Sequence, residues 1–144
     1  MHDLVSAAHD EGAQLLVLPE LFSLELLGLE PRLAESKMPR YLAQYAAALE
    51  DWLSRIAQNS GLVIVGGSHF REQNGAIVNT APIAFPDGQV VFQTKNNLTE
   101  YERDVWPDSM SGHVEGTTFR KVRPWRNKGV IVRSITVPST TAAA

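Results

Sequence analysis

The feature that most constrains the fold is the run Leu15-Leu16-Val17-Leu18, which leads directly into Pro19 and Glu20. Four consecutive apolar residues without polar alternation predict a strand that is buried on both faces, as in a parallel sheet. Pro19 ends the strand because it lacks the amide proton that a sheet hydrogen bond needs. The Glu20 carboxylate therefore follows the carboxyl end of a buried strand, where open α/β sheets bind their ligands. Taken alone, Glu20 fits a surface acid at a strand-to-loop junction better.

A helix, a glycine and a strand follow one another twice along the chain. Residues 2–11 have apolar residues at helical spacing, and Gly12 suits the left-handed position that follows a helix. A second helix is predicted to begin at Pro39 and to be closed by Asn59-Ser60-Gly61, and residues 62–65 form the next apolar run. Two such units favour a parallel α/β sheet, and we expect a further strand before the first helix.

The middle of the chain predicts a β-hairpin. Residues 76–85 and 89–94 have strand character and flank the turn sequence Pro86-Asp87-Gly88. Asn74-Gly75 predicts another tight turn before them, because both residues tolerate a left-handed backbone. The predicted fold class is therefore α/β with a mixed sheet. A last strand is predicted at residues 129–132, followed by an irregular tail over residues 133–144.

Composition excludes several classes of protein. With 44% hydrophobic and 20% charged residues among 144, the chain fits one globular domain or part of one. A net charge of −3 argues against nucleic-acid and membrane-surface partners, which would require a basic face. The absence of cysteine excludes disulfides, thiolate metal sites and a cysteine nucleophile in this chain. Residues 15–29 are too interrupted to span a bilayer, and without a basic-then-apolar leader we expect a cytoplasmic location.

Two classes of catalytic site are disfavoured by their spacing. A serine hydrolase would need Gly-x-Ser-x-Gly before a helix, and Gly66-Gly67-Ser68-His69-Phe70 lacks the second glycine and the helix. A metal site could use the histidines with Asp87 or Asp108, but none has the paired spacing of a helix-borne motif. The histidines are His2, His9, His69 and His113.

Polar residues follow the second hairpin strand, including Lys95, Glu100 and Glu102. Alone, they fit a solvated loop with local ion pairs. Together with Leu-Pro-Glu-Leu-Phe at residues 18–22, and in this order, they resemble the nitrilase, or carbon–nitrogen hydrolase, superfamily. The resemblance covers about residues 3–132.

The resemblance implies an α-β-β-α sandwich and a Glu-Lys-Cys triad that hydrolyses a non-peptide carbon–nitrogen bond. Glu20 matches the general base and Lys95 the triad lysine. Glu102 matches the acid that orients the site, with Glu100 as the second choice. Arg133 stands where the cysteine nucleophile belongs. We therefore expect a partial hydrolase domain over residues 1–132 that is inactive as written. The alternative is an inactive fragment or a non-catalytic binding or subunit-interaction module.

The resemblance also implies the partners and the chemistry of the site. The substrate would be a small amide or nitrile, no metal or organic cofactor is implied, and a homodimer is common in the family. A fixed Lys95 ammonium would stabilise a developing anion by about 2.7 to 4 kcal/mol, as oxyanion-hole donors do. Glu102 would keep Lys95 charged. Because these roles are chemical, we expect substitutions of Glu20, Lys95 or Glu102 to leave the fold intact.

Overall fold

A computed structural model describes residues 2–95 and 97–106. The predicted strand at 129–132, the tail from 133 and Arg133, His113 and Asp108 lie outside these residues. Of the helices in the described part of the chain, none combines the length and apolar character that crossing a membrane requires. The helices are α1 (His2–Asp10), α2 (Met38–Ala43), α3 (Ala46–Ser60) and α4 (Glu100–Val105), with 3₁₀ helices at Phe22–Leu29 and Glu35–Lys37. The strands are β1 (Leu15–Val17), β2 (Val63–Val65), β3 (His69–Gln73), β4 (Ala76–Ala84) and β5 (Val90–Thr94).

The five strands form one mixed sheet, which confirms the predicted fold class. β1 and β2, the strands of the two helix-glycine-strand units, are parallel, whereas the other pairings in the sheet are antiparallel. β4 pairs antiparallel with β2, β3 and β5. Thr80 of β4 lies between His69 of β3 and Thr94 of β5, so β3 and β5 flank β4 on opposite sides. The long strand β4 therefore connects the parallel pair to both hairpins.

Turn residues account for the hairpins. β4 and β5 are joined through Pro86-Asp87-Gly88, as predicted, and the Asp87 carboxylate accepts a hydrogen bond from the Gln89 amide at 2.9 Å. Asn74 and Gly75 are both left-handed, with φ of 53° and 82°, and they join β3 to β4. β3 was not predicted because its sequence, His-Phe-Arg-Glu-Gln, has no apolar run. The Asn74-Gly75 turn that follows β3 was the sequence feature that could have indicated a strand before it.

The single helix predicted between Pro39 and the closing Asn59-Ser60-Gly61 is instead two helices, α2 and α3, although α3 does end at Ser60 as predicted. Leu42 of α2 packs in a cluster with Phe70, whereas Leu53 of α3 packs in a different cluster with Ile64. Successive strand residues point to opposite faces, and the pairing registers place Phe70 and Ile64 on different faces of the sheet. The break between α2 and α3 allows the segment to cover both faces.

The prediction that β1 is buried on both faces is wrong. Leu16 is buried in the cluster beneath α1 and α3, but Val17 is 57% exposed. The pairing register aligns Val17 with Val65, Ile83 and Val91, and we call these four residues the aliphatic row. Helices α1 and α3 cover the opposite face, which explains why apolar sequence alone did not ensure burial.

Candidate active site

Lys95 brings two distant carboxylates together. It follows β5, and its backbone N–H donates to the carbonyl of Asn79 at 2.8 Å, which extends the pairing with β4. Its Nζ donates to Oε1 of Glu20 at 2.9 Å and to Oε1 of Glu102 at 3.0 Å. The structure thus places all three predicted site residues in one cluster, although Glu20 and Lys95 are 75 positions apart.

Glu20 owes its position to the end of the parallel pair. The Leu18 amide still donates to the Val65 carbonyl at 2.9 Å, so the pairing of β1 with β2 continues to the residue before Pro19. Beyond that proline, the Glu20 side chain is 60% exposed and reaches Lys95 from the strand end. This is the edge of the sheet at which the sequence predicted chemistry.

Glu102 is held by the first turn of α4. The Thr99 hydroxyl accepts a hydrogen bond from the Glu102 amide at 3.1 Å, and the Glu102 carboxylate accepts from the Thr99 amide at 2.7 Å. This reciprocal pair is a capping box. The expected polar turn is therefore a short capped helix from Glu100 to Val105. The Thr99-x-x-Glu102 spacing was the signal that sequence reasoning missed.

Asn79 is a second residue that sequence reasoning missed. It lies buried in β4, and its Nδ2 donates to Oε1 of Glu102 at 3.2 Å. A buried amide within the apolar run of residues 77–83 was the available signal, because buried polar side chains need hydrogen-bond partners. Asn79 and Lys95 therefore approach the same carboxylate oxygen of Glu102.

The charges in this cluster shift each other's pKa. The Glu102 side chain is only 5% exposed, and this burial raises its pKa, but hydrogen bonds from Thr99, Lys95 and Asn79 outweigh the burial and lower it overall. Burial likewise lowers the pKa of Lys95, but the hydrogen bonds to Glu20 and Glu102 outweigh it and raise the pKa. Both groups are therefore charged at neutral pH. Glu100, the second choice for the orienting acid, is exposed to solvent.

An open cleft of about 360 Å³ contains part of the cluster. Its walls include Leu18, Glu20, Val65, Ser68 and Lys95. A larger groove of about 440 Å³ lies elsewhere, between α1 and α3. We assign the site to the smaller cleft because it holds an ammonium and a carboxylate in contact.

Of the histidines considered for a metal site, the structure describes the side chains of His9 and His69, and neither lines this cleft. His69 is buried and contacts Oε1 of Glu50 on α3 at 3.0 Å, and burial lowers its pKa. His9 lies 3.6 Å from Asp10 on α1. Across residues 2–95 and 97–106, no group of three or more histidine, cysteine, aspartate or glutamate side chains could hold a metal ion.

Comparisons with known proteins agree with the geometry. The chain is 32% identical to the probable hydrolase YhcX of Bacillus subtilis over 76% of its own length and 21% of that protein. It is 35% identical to omega-amidase NIT2 of Danio rerio over 71% of its length and 34% of that protein. The chain therefore spans about a fifth to a third of these relatives.

Solved structures give the same result. A crystal structure of an amidase from Nesterenkonia sp. superposes with a TM-score of 0.56 at 27% identity, over 72% of this chain and 38% of that one. Residues 1–136 match the model of the family described as carbon-nitrogen hydrolase. The α/β fold with its mixed sheet matches these structures, and the family model covers most of the sequence. The chain belongs to the carbon–nitrogen hydrolase family.

Proposed function

We propose that this chain carries the base and the electrophile of an amidase-type or nitrilase-type site. Glu20 is the general base, and Lys95 stabilises the anionic intermediate. The observation that carries the proposal is the Lys95 ammonium, which lies 2.9 Å from Glu20 and 3.0 Å from Glu102. The proposed substrate is a small amide or nitrile, since named relatives include amidases.

The two carboxylates differ in their surroundings, and this difference supports different roles. Glu20 is 60% exposed and borders the cleft, so it is able to exchange protons with a bound reactant. Glu102 is nearly buried and accepts hydrogen bonds from Asn79, Thr99 and Lys95. Its proposed role is to hold Lys95 in position and keep it protonated.

In the proposed amide reaction, a thiol attacks the carbonyl carbon while Glu20 accepts its proton. Glu20 then returns that proton to the leaving nitrogen, the carbon–nitrogen bond breaks and ammonia departs, leaving a thioester. Glu20 next takes a proton from water, whose oxygen attacks the thioester carbon. The carbon–sulfur bond then breaks, and Glu20 returns the proton to the sulfur, which releases the acid and restores the thiol. Lys95 stabilises the oxygen that becomes negative in both tetrahedral intermediates.

The nucleophile is the missing part of this scheme. The chain has no cysteine, so we propose that it does not complete the reaction as written. By resemblance, the nucleophile position is Arg133, whose guanidinium cannot attack a carbon centre. The alternative role, a binding or subunit-interaction module, would use the same fold without turnover.

The test compares the chain as it stands with an Arg133→Cys variant. Incubated with acetamide or acetonitrile, the unmodified chain should release no ammonia. The Arg133→Cys variant should form a thioester or thioimidate, which intact-protein mass spectrometry would detect. Ser6→Cys is the matched control, because Ser6 is exposed on α1 and does not line the cleft.

Adding Glu20→Gln to Arg133→Cys should slow formation of the adduct by at least about 100-fold, the lower range for a general base. Glu20 is mostly exposed, so this change should leave the fold intact. Ammonia release by the unmodified chain, or an adduct rate that Glu20→Gln does not change, would overturn the proposal. Absence of both adduct and ammonia release with Arg133→Cys would overturn it in favour of the non-catalytic module.

A further inference from the structure

The bend between β2 and β3 contacts the backbone on both sides of Glu20. The bend consists of Gly66, Gly67 and Ser68, and the first two are buried. It reaches the carbonyl of Pro19 through Gly67 and the amide of Leu21 through Ser68. Glu20 is therefore the one residue between two anchored neighbours.

The contact at Gly67 requires a glycine. Its φ is +61°, a left-handed conformation that residues with a Cβ rarely adopt. A Cβ at this position would lie 1.9 Å from the carbonyl oxygen of Pro19, far inside van der Waals contact. The missing side chain thus allows the carbonyl just before Glu20 to pack against the bend.

The contact at Ser68 supports an unusual backbone conformation. Leu21 is left-handed, with φ 51° and ψ 34°, which is unfavourable for a leucine. Its amide donates to the Ser68 Oγ at 3.2 Å. This hydrogen bond gives the Leu21 amide a partner and ties the residue after Glu20 to Ser68.

We propose that Gly67 and Ser68 are positioning residues that hold the Glu20 carboxylate against Lys95. The inference rests on the proposed role of Glu20 as the base. Because the Glu20 side chain is 60% exposed, little packing restrains it, and its direction depends on the backbone at Pro19 and Leu21. Loosening that backbone would allow Glu20 to leave Lys95, while Glu102 would stay in place through Thr99 and Asn79.

The test follows the titration of the Lys95 Nζ by ¹⁵N NMR in the full chain. Removing the Glu20 carboxylate by Glu20→Gln gives the reference fall in the pKa of Lys95. Ser68→Ala should produce at least half of that fall, because Glu20 no longer stays within hydrogen-bond distance. Ser68→Thr should restore the original pKa, since its hydroxyl can accept from Leu21.

Ser60→Ala is the matched control. The Ser60 Oγ also accepts a hydrogen bond from a backbone amide, that of Leu62, at 3.3 Å, but Ser60 lies at the end of α3 and not at the cleft. This variant should leave the Lys95 pKa unchanged. Gly67→Ala should lower the pKa of Lys95 at least as much as Ser68→Ala does. If Gly67→Ala does not fold, the comparison of Ser68→Ala with Ser60→Ala still tests the proposal.

A Lys95 pKa in Ser68→Ala equal to that of the unmodified chain would overturn the proposal, as would equal effects of Ser68→Ala and Ser60→Ala. The titration requires no turnover. It therefore separates a failure of this inference from a failure of the proposed function, which the adduct assay detects.

Discussion

Replacing Glu102 with glutamine should destabilise the protein and not merely weaken the site. The Glu102 carboxylate accepts hydrogen bonds from Lys95 and Asn79 on Oε1 and from the Thr99 amide and hydroxyl on Oε2. In Glu102→Gln, one of these oxygens becomes an NH₂ group that faces two donors. This geometry revises our expectation that a change at Glu102 leaves the fold unaffected.

The magnitude follows from the groups that lose a partner. Unsatisfied buried donors cost about 1–3 kcal/mol each, and the partial exposure of Lys95 and Thr99 reduces that cost, so we expect a loss of about 2–3 kcal/mol. For a chain of this size the midpoint of thermal unfolding should fall by about 5–15 °C. Urea unfolding followed by circular dichroism at low micromolar concentration measures the loss.

Glu100→Gln is the matched control, because it makes the same chemical change at an exposed position in the same helix. It should cost at most about 1 kcal/mol, the value of one charge at a helix N-terminus. The pKa of Glu102 is lowered in the fold, so its contribution is complete above its ordinary pKa and is lost as the pH falls through the folded value. The difference between the unmodified chain and Glu102→Gln should therefore shrink below about pH 4. Equal losses of unfolding free energy in Glu102→Gln and Glu100→Gln at pH 7 would refute the reasoning. So would a stability difference between the unmodified chain and Glu102→Gln that does not shrink in acid.

Two further predictions concern the capping box at Thr99 and the aliphatic row. Thr99→Val should raise the Glu102 pKa, read by ¹³C NMR, and cost about 1 kcal/mol, because the capping hydroxyl is lost; an unchanged pKa would count against the cap. The aliphatic row should cause concentration-dependent self-association in sedimentation experiments, and Val17→Thr should reduce it while Val5→Thr, at a half-buried site on α1, should not. A monomer over the whole concentration range would contradict the second prediction.

The sequence predicted the parts of this structure that depend on local chemistry. Proline after an apolar run placed Glu20 at a strand end, and the turn residues Asn74 and Gly75 placed a hairpin. The Thr99-x-x-Glu102 cap was equally local, but the residues around it were interpreted only as a polar turn. Local rules were therefore sufficient for these turns and strand ends, but they failed for the segment from Pro39, which forms two helices, and for the burial of β1.

Tertiary features were not accessible in this way. The exposure of Val17 depends on which face of the sheet α1 and α3 cover, and the residues next to Val17 in sequence do not predict that. The contact of Gly67 with Pro19 joins segments nearly fifty residues apart, so the glycine could be noticed but not explained. The catalytic roles of Glu20, Lys95 and Glu102 stay predictions, which the adduct assays test.

The most direct test of the proposed site is the effect of Lys95 on reaction at the nucleophile position. In the Arg133→Cys background, Lys95→Gln should slow formation of the acetamide adduct by about 10²–10³-fold, the value of one oxyanion-hole donor. Lys37→Gln, at an exposed position in the 3₁₀ helix Glu35–Lys37, should leave the rate unchanged. An adduct rate in Lys95→Gln equal to that in Lys37→Gln, with both variants folded, would contradict the account and leave the cluster as a surface ion-pair network.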